Sequence, residues 1–109
     1  MPKISINFIS EKLKNNIIKL KEGDDSERKL YFCINKAFQD IENYLVSCIK
    51  IPKKFWPKEY NKYNLSNLWK YDLPNGWRLI FSLKQDDVLI IAIVLEWFSH
   101  KEYERRFGY

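Results

Sequence analysis

Between Val88 and Phe98 the chain reads Val-Leu-Ile-Ile-Ala-Ile-Val-Leu-Glu-Trp-Phe, apolar at every position but Glu96. Such a run falls far short of the roughly 20 residues that a bilayer-spanning helix needs. It has no polar side to turn to water, neither at alternate positions nor at helical spacing. β-Branched and aromatic side chains dominate it, which favours a strand. A strand apolar on both sides is buried on both sides, and so lies in the interior of a sheet.

Upstream of this strand the period changes twice. Trp77, Leu79, Phe81 and Leu83 alternate with Arg78, Ile80, Ser82 and Lys84, which predicts a strand. Pro74-Asn75-Gly76 before it predicts a tight turn, with Gly76 in the left-handed position, and residues 65–73 predict a further strand. Gln85-Asp86-Asp87 predicts a three-residue loop into the apolar strand. Leu30, Ile34, Phe38, Ile41, Leu45 and Cys48 step by three or four, predicting one long helix stopped at Ile51-Pro52. Leu13, Ile17 and Leu20 predict an earlier helix capped by Ser10, and Glu22-Gly23-Asp24-Asp25 the break between the two. Ile4, Ile6 and Phe8 predict a first short strand. The result is an α+β domain in the order β-α-α-β-β-β, with both N-terminal helices on one face of an antiparallel sheet. With 109 residues and 46% hydrophobic content, residues 1–109 suit one domain with one core.

The formal net charge of +5 favours a polyanion such as RNA, or an acidic protein partner. Cys33 and Cys48, placed on one helix, would stand roughly 22 Å apart at 1.5 Å per residue. That spacing rules out a disulfide between them and suits a reducing compartment. His100 is the only histidine and no C-x-x-C occurs, which argues against a zinc site. The N-terminus carries no signal-like apolar stretch, so the expectation is a soluble cytoplasmic protein without a membrane partner.

Three segments carry a likeness: Leu68-Trp69-Lys70-Tyr71-Asp72-Leu73, Gly76-Trp77-Arg78-Leu79-Ile80-Phe81, and His100-Lys101-Glu102-Tyr103 after the long apolar strand. Together with the element order they resemble the RelE/ParE toxin superfamily, and more closely its mRNA-interferase branch. That resemblance implies a toxin of a type II toxin–antitoxin system, an endoribonuclease that cuts mRNA at the ribosome without a metal or other cofactor. Its implied partners are a cognate antitoxin, mRNA and the ribosome. It puts the catalytic positions at Arg78, His100 and Tyr103, with RNA contacts at Lys70 and Lys101. The tail Glu104-Arg105-Arg106-Phe107-Gly108-Tyr109 departs from the best-known toxins, and no acidic base matches in the helix-to-strand loop. Within the same superfamily, a ParE-like toxin that inhibits a topoisomerase without cutting anything is the alternative, as is an inactive member of the fold.

The residue types suit the implied chemistry. Cleavage through the 2′-hydroxyl needs a base, an acid and positive charge on the crowded phosphorus. Arg78 can fork onto phosphate oxygens, or simply sit on a half-exposed strand. His100 suits acid or base work near neutral pH, or is merely exposed. Tyr103 stacks on a base, donates a proton or packs on the core. Arg105 and Arg106 add charge in the tail. Residues 53–60, with Lys53 and Lys54 among Phe55, Trp56 and Tyr60, suit either RNA stacking or a lid over the core. A three-residue loop would set Arg78 opposite Val94 and diagonal to Glu96, on a face left open by the helices.

Overall fold

A computed structural model describes residues 3–85, the backbone of residues 89–98, and residues 101, 105 and 107. The chain is α+β. Strand β1 (Lys3–Phe8) leads into helix α1 (Glu11–Lys19), a 3₁₀ turn (Leu20–Glu22) and helix α2 (Asp25–Glu42). Strand β2 (Cys48–Lys50), two 3₁₀ turns (Lys53–Phe55 and Lys58–Tyr63) and strands β3 (Trp69–Asp72), β4 (Arg78–Gln85) and β5 (Leu89–Phe98) follow. They form one five-stranded sheet in the order β1-β5-β4-β3-β2, with the apolar β5 between β1 and β4, away from either edge.

The helix boundaries follow from local chemistry. Ser10 accepts from Leu13 N at 3.1 Å and starts α1. Asp24 accepts from Glu27 N at 2.9 Å while Glu27 reaches back to Asp24 N at 3.3 Å, a reciprocal cap that satisfies two orphan donors. Gly23 leaves room for that cap, since a Cβ there would stand 2.7 Å from Cβ of Glu27. Its φ of −84° is ordinary, so the missing side chain matters here, and the left-handed freedom does not.

Helix α2 ends at Glu42, six residues before the end expected from its apolar spacing. Tyr44, Leu45 and Ser47 have φ of 59°, 67° and 62°, and the chain reverses to lay Cys48 on β2 opposite Tyr71. Leu45 and Cys48 still pack on the helix-side core, so the spacing reports their burial correctly while their backbone is turn and strand. The two thiols therefore do not share a helix, and both are free.

The sheet is mixed: β2 to β5 are antiparallel, and β1 runs parallel to β5. Only strands joined by a tight hairpin are obliged to run antiparallel. β1 reaches β5 through most of the chain, so its direction is not fixed that way. Strand β3 begins at Trp69, four residues later than expected, because a side chain takes over the ladder. Asn67 Nδ2 donates to Leu83 O at 2.9 Å and Leu83 N donates to Asn67 Oδ1 at 2.7 Å. In the turn after β3, Asn75 as well as Gly76 is left-handed, with φ of 61° and 79°.

Register in the β4–β5 pair also differs. Arg78 stands opposite Phe98, Ile80 opposite Glu96 and Gln85 opposite Ile90, with a shift between Ile80 and Phe81 that leaves Leu95 as the extra residue. With Glu96 its one polar residue, β5 has almost no alternation by which its pattern could choose a register. The diagonal placement of Arg78 and Glu96 survives the shift in backbone terms; the Glu96 side chain, like residues 86–88, lies outside the described residues.

Among the described residues, both faces of the sheet are covered at the middle of β4. Ile17, Leu20, Ile34, Ala37 and Ile41 from the helical pair pack with Ile4, Tyr71, Leu73, Leu79 and Phe81. On the other face Ile80 packs with Ile51, Tyr60, Leu68 and Phe107, flanked by Phe55, Trp56, Tyr63 and Leu65. The face expected to lie open thus carries a second core, closed by the 3₁₀ segment and by Phe107. Leu79, Ile80 and Phe81 are each 0% exposed, so three successive residues of β4 bury side chains in opposite directions.

Phe81→Ala and Ile80→Ala should accordingly cost about 3–5 and 2–5 kcal/mol in chemical denaturation. An Ile80→Ala cost within about 0.5 kcal/mol, the level of an exposed site, would show the second face to be open.

Candidate functional site

Alternation along β3 and β4 sorts the polar side chains by face. Register pairs Lys70 with Ile80 and Asp72 with Arg78, so Lys70, Asp72 and Arg78 share the face of the second core. Arg78 Nε lies 2.8 Å and Lys70 Nζ 3.2 Å from the same carboxylate oxygen, Oδ1 of Asp72. The Arg78 contact is an ion pair rather than an aligned hydrogen bond. The side chains of Lys70 and Arg78 are only 17% and 15% exposed, whereas that of Asp72 is 46% exposed. The two cations are pinned against the sheet, and the carboxylate is the solvent-facing member.

A neighbouring sheet position, Tyr71, faces the helices. Its hydroxyl donates to Asp40 Oδ2 at 2.5 Å, and Lys36 Nζ donates to Asp40 Oδ1 at 2.7 Å. Those two hydrogen bonds, the one from Lys36 foremost, hold the Asp40 carboxyl below its ordinary range despite burial. Burial, reinforced by Asp40, pushes the Tyr71 hydroxyl up to about 12. Burial likewise pushes the Cys48 thiol up to about 11, which leaves it a poor nucleophile. This cluster ties α2 to the sheet and keeps β3, the carrier of Lys70 and Asp72, in register.

Of the remaining expected contacts, Lys53 and Lys54 lie on a segment that covers the second face. Lys53 and Lys54 are exposed on their 3₁₀ turn, with Lys54 Nζ 5.1 Å from the ring centre of Phe55. Phe55 and Trp56 pack inward, Trp56 Nε1 donates to Ile51 O at 2.9 Å, and Tyr60 is 3% exposed. Of the two readings of this segment, its aromatics serve as the lid and its lysines remain available to a ligand. Lys101 and Arg105 have helical backbone and are exposed, and Phe107 beyond them is buried against Tyr60 at 6.2 Å between ring centres. His100, Tyr103 and Arg106 lie outside the described residues.

Asp72 is the residue that the sequence reading passed over. The signal was present in its spacing: an acidic residue two positions after Lys70 on a strand shares its face, and the turn at residues 74–76 sets it across from Arg78. Among the described residues no group of three or more His, Cys, Asp or Glu is placed to hold a metal ion, and no helix is long and apolar enough to cross a membrane. Comparison with protein-family models, characterised proteins and solved structures finds no match to this chain.

The Tyr71–Asp40 bond has a definite pH signature. A hydroxyl raised from about 10 in the unfolded chain stabilises the fold fully below pH 10, and that stabilisation is lost as pH rises through about 12. Asp40, depressed, contributes above its unfolded value and loses its contribution as pH falls through the lowered one. Tyr71→Phe should therefore cost about 1.5–3 kcal/mol at pH 7, as for a hydrogen bond to a charged group. The gap from wild type should narrow between pH 10 and 12 in urea unfolding; a constant gap across that range would contradict the assignment.

Proposed function

We propose that this chain is a RelE/ParE-like toxin that cleaves mRNA without a metal, acting at the ribosome and held in check by an acidic antitoxin. The observation that carries the reading is the meeting of Lys70 and Arg78 at one carboxylate oxygen on a sheet face. Two cations fixed about 3 Å from an anionic oxygen are what a phosphodiester requires, and a guanidinium retains its charge throughout. Further support comes from the element order, which contains β-α-α-β-β-β with the short β2 added. The segments Gly76–Phe81 and His100–Tyr103 carry the family likeness, and His100 lies two residues along the chain from Phe98, the register partner of Arg78.

In this reading the RNA 2′-oxygen attacks the adjacent phosphorus and the bond to the 5′-oxygen breaks, leaving a 2′,3′-cyclic phosphate and a 5′-hydroxyl. Arg78 and Lys70 stabilise the extra negative charge on the phosphorane oxygens. His100 removes the 2′ proton or supplies one to the departing 5′-oxygen, and Tyr103 stacks on a base or supplies that second proton. Lys53, Lys54, Lys101, Arg105 and Arg106 attract the flanking backbone. The non-cutting ParE-like alternative uses the same basic face to bind and has no need of proton-transfer groups after β5.

Induced expression followed by primer extension on cellular mRNA separates the two. Cleavage is expected, unaffected by a chelator. Arg78→Ala should slow it by about 10²–10³-fold, and His100→Ala by about 10²–10⁴-fold. Tyr103→Phe should have a mild effect if the ring stacks and a large one if the hydroxyl donates. Growth arrest with intact mRNA and altered DNA supercoiling would establish the ParE-like alternative instead.

Salt titration of RNA binding checks the wider surface. Each variant that removes a true phosphate contact among Lys70, Lys101 and Arg105 should lower the salt slope by about one unit. An unchanged slope for all three would assign the basicity to solubility.

A further inference from the structure

We propose that residues 43–50 are a spring-loaded strap. A strained turn holds β2 on the edge of the sheet, and its release lets α2 grow by one turn and leaves β3 as the edge strand. Tyr44, Leu45 and Ser47 are left-handed, with φ of 59°, 67° and 62°. A helix that ends on a left-handed residue ordinarily uses one, most often Gly and sometimes Asn, because a Cβ crowds the neighbouring carbonyl in that conformation. Here three residues with side chains adopt it, and Asn43, the type that tolerates it best, stays at φ −88°. Such a concentration of unfavourable backbone is the mark of a segment that its surroundings hold in place.

The residues themselves favour the other state. Leu45 and Cys48 continue the helical step from Ile41, and no Gly or Pro interrupts the chain from Asp25 to Ile51. Both ends of the strap are anchored. Asp40 accepts from the Tyr71 hydroxyl on β3. Ile51 is 2% exposed, its N donates to Leu68 O at 2.8 Å, and its O accepts from Trp56 Nε1 at 2.9 Å. Between the anchors the hold is light. Leu45 and Cys48 pack on the helix-side core, but Tyr44, Val46 and Ile49 are 51%, 44% and 48% exposed.

A second observation lies beneath β2. Trp69 stands opposite Lys50, and its indole N–H is buried with no hydrogen-bond partner among the described residues. A buried donor left unmet raises the free energy of the closed state, and lifting β2 opens that flank of the ring to water. Left-handed residues and orphaned donor thus load the strap from two sides. On release, one turn of helix over Tyr44–Ser47 returns those residues to right-handed backbone, and Cys48–Lys50 spans the way back to Ile51. The backbone of β3 from Trp69 to Tyr71 then forms the edge of the sheet, so this edge has a covered and an uncovered form. The anchors confine the change to the segment between them.

The test follows the strap in the intact chain by nuclear magnetic resonance. Alternation from the Ile51–Leu68 bond points the Ile49 amide at β3, so its native-state hydrogen exchange gives the opening constant. Chemical-exchange saturation transfer on backbone carbons reads the conformation of the minor state. Wild type, or Ser47→Ala, should show a minor state with helical shifts over Tyr44–Ser47. Glycine relieves a left-handed position in the closed turn and weakens the open helix, whereas alanine does neither. Tyr44→Gly and Ser47→Gly should therefore open about tenfold less often than Tyr44→Ala and Ser47→Ala. Opening constants equal within about twofold between the glycine and alanine variants would overturn the proposal. So would a minor state with coil shifts, or none in either wild type or Ser47→Ala. Thermal transitions check folding, and the pair at Ser47, an exposed position, decides the matter should the Tyr44 variants unfold early.

Discussion

Between Leu79 and Ser82, strand β4 has no face to give to water. Leu79 and Phe81 point into the core under the helical pair, and Ile80 between them points into a second core closed by Tyr60, Leu68 and Phe107. Much of the molecule serves to cover these side chains. The helices bring Ile34, Ala37 and Ile41 to one side. The 3₁₀ segment brings Tyr60, with Phe55 and Trp56 around it, to the other, and β5 and β3 take up the hydrogen bonds at the two edges. Burying a side chain of this size contributes about 1.5–3 kcal/mol, comparable with a sizeable fraction of the net stability of a small domain. The two cores are therefore separate contributions that meet in one strand.

This arrangement decides where stiffness and charge coincide. Arg78 is the first residue of β4 and Lys70 lies next to that strand on β3, so both emerge from the most constrained part of the sheet. On the opposite face of β3, Tyr71 is fastened to α2 through Asp40, which leaves the strand little freedom to slide. The other described candidate cations are exposed, Lys53 and Lys54 just before Phe55, and Lys101 and Arg105 ahead of Phe107 in the chain.

Much of this was legible in the residues, and the losses have physical causes. The run at residues 88–98, apolar but for Glu96, announced an interior strand because it offers no polar side to turn to water, and β5 at Leu89–Phe98 lies between β1 and β4. The caps at Ser10 and Asp24 announced themselves through side chains that bond their own backbone. Register between β4 and β5 stayed hidden because a strand apolar at every position but one carries almost no phase. The end of α2 stayed hidden because Leu45 and Cys48 keep helical spacing while the backbone turns through left-handed conformations that no glycine marks. At the candidate site, the cations were legible by type, and the reading of Arg78 as lying on an open face was not correct. Phe107, fifty-six residues from Ile51 in the chain, joins it on that face, a long-range contact that local pattern does not encode.

The central claim, that β4 is held from both sides and only global unfolding releases it, is tested most directly by native-state hydrogen exchange. The account predicts that the amides of Ile80, Phe81 and Ser82 exchange with the free energy and denaturant dependence of global unfolding. Amides of the edge strand β2 and of the turn at residues 43–47 should open earlier and with little denaturant dependence. Exchange of the Ile80–Ser82 amides through small local openings, well below the global free energy, would contradict it.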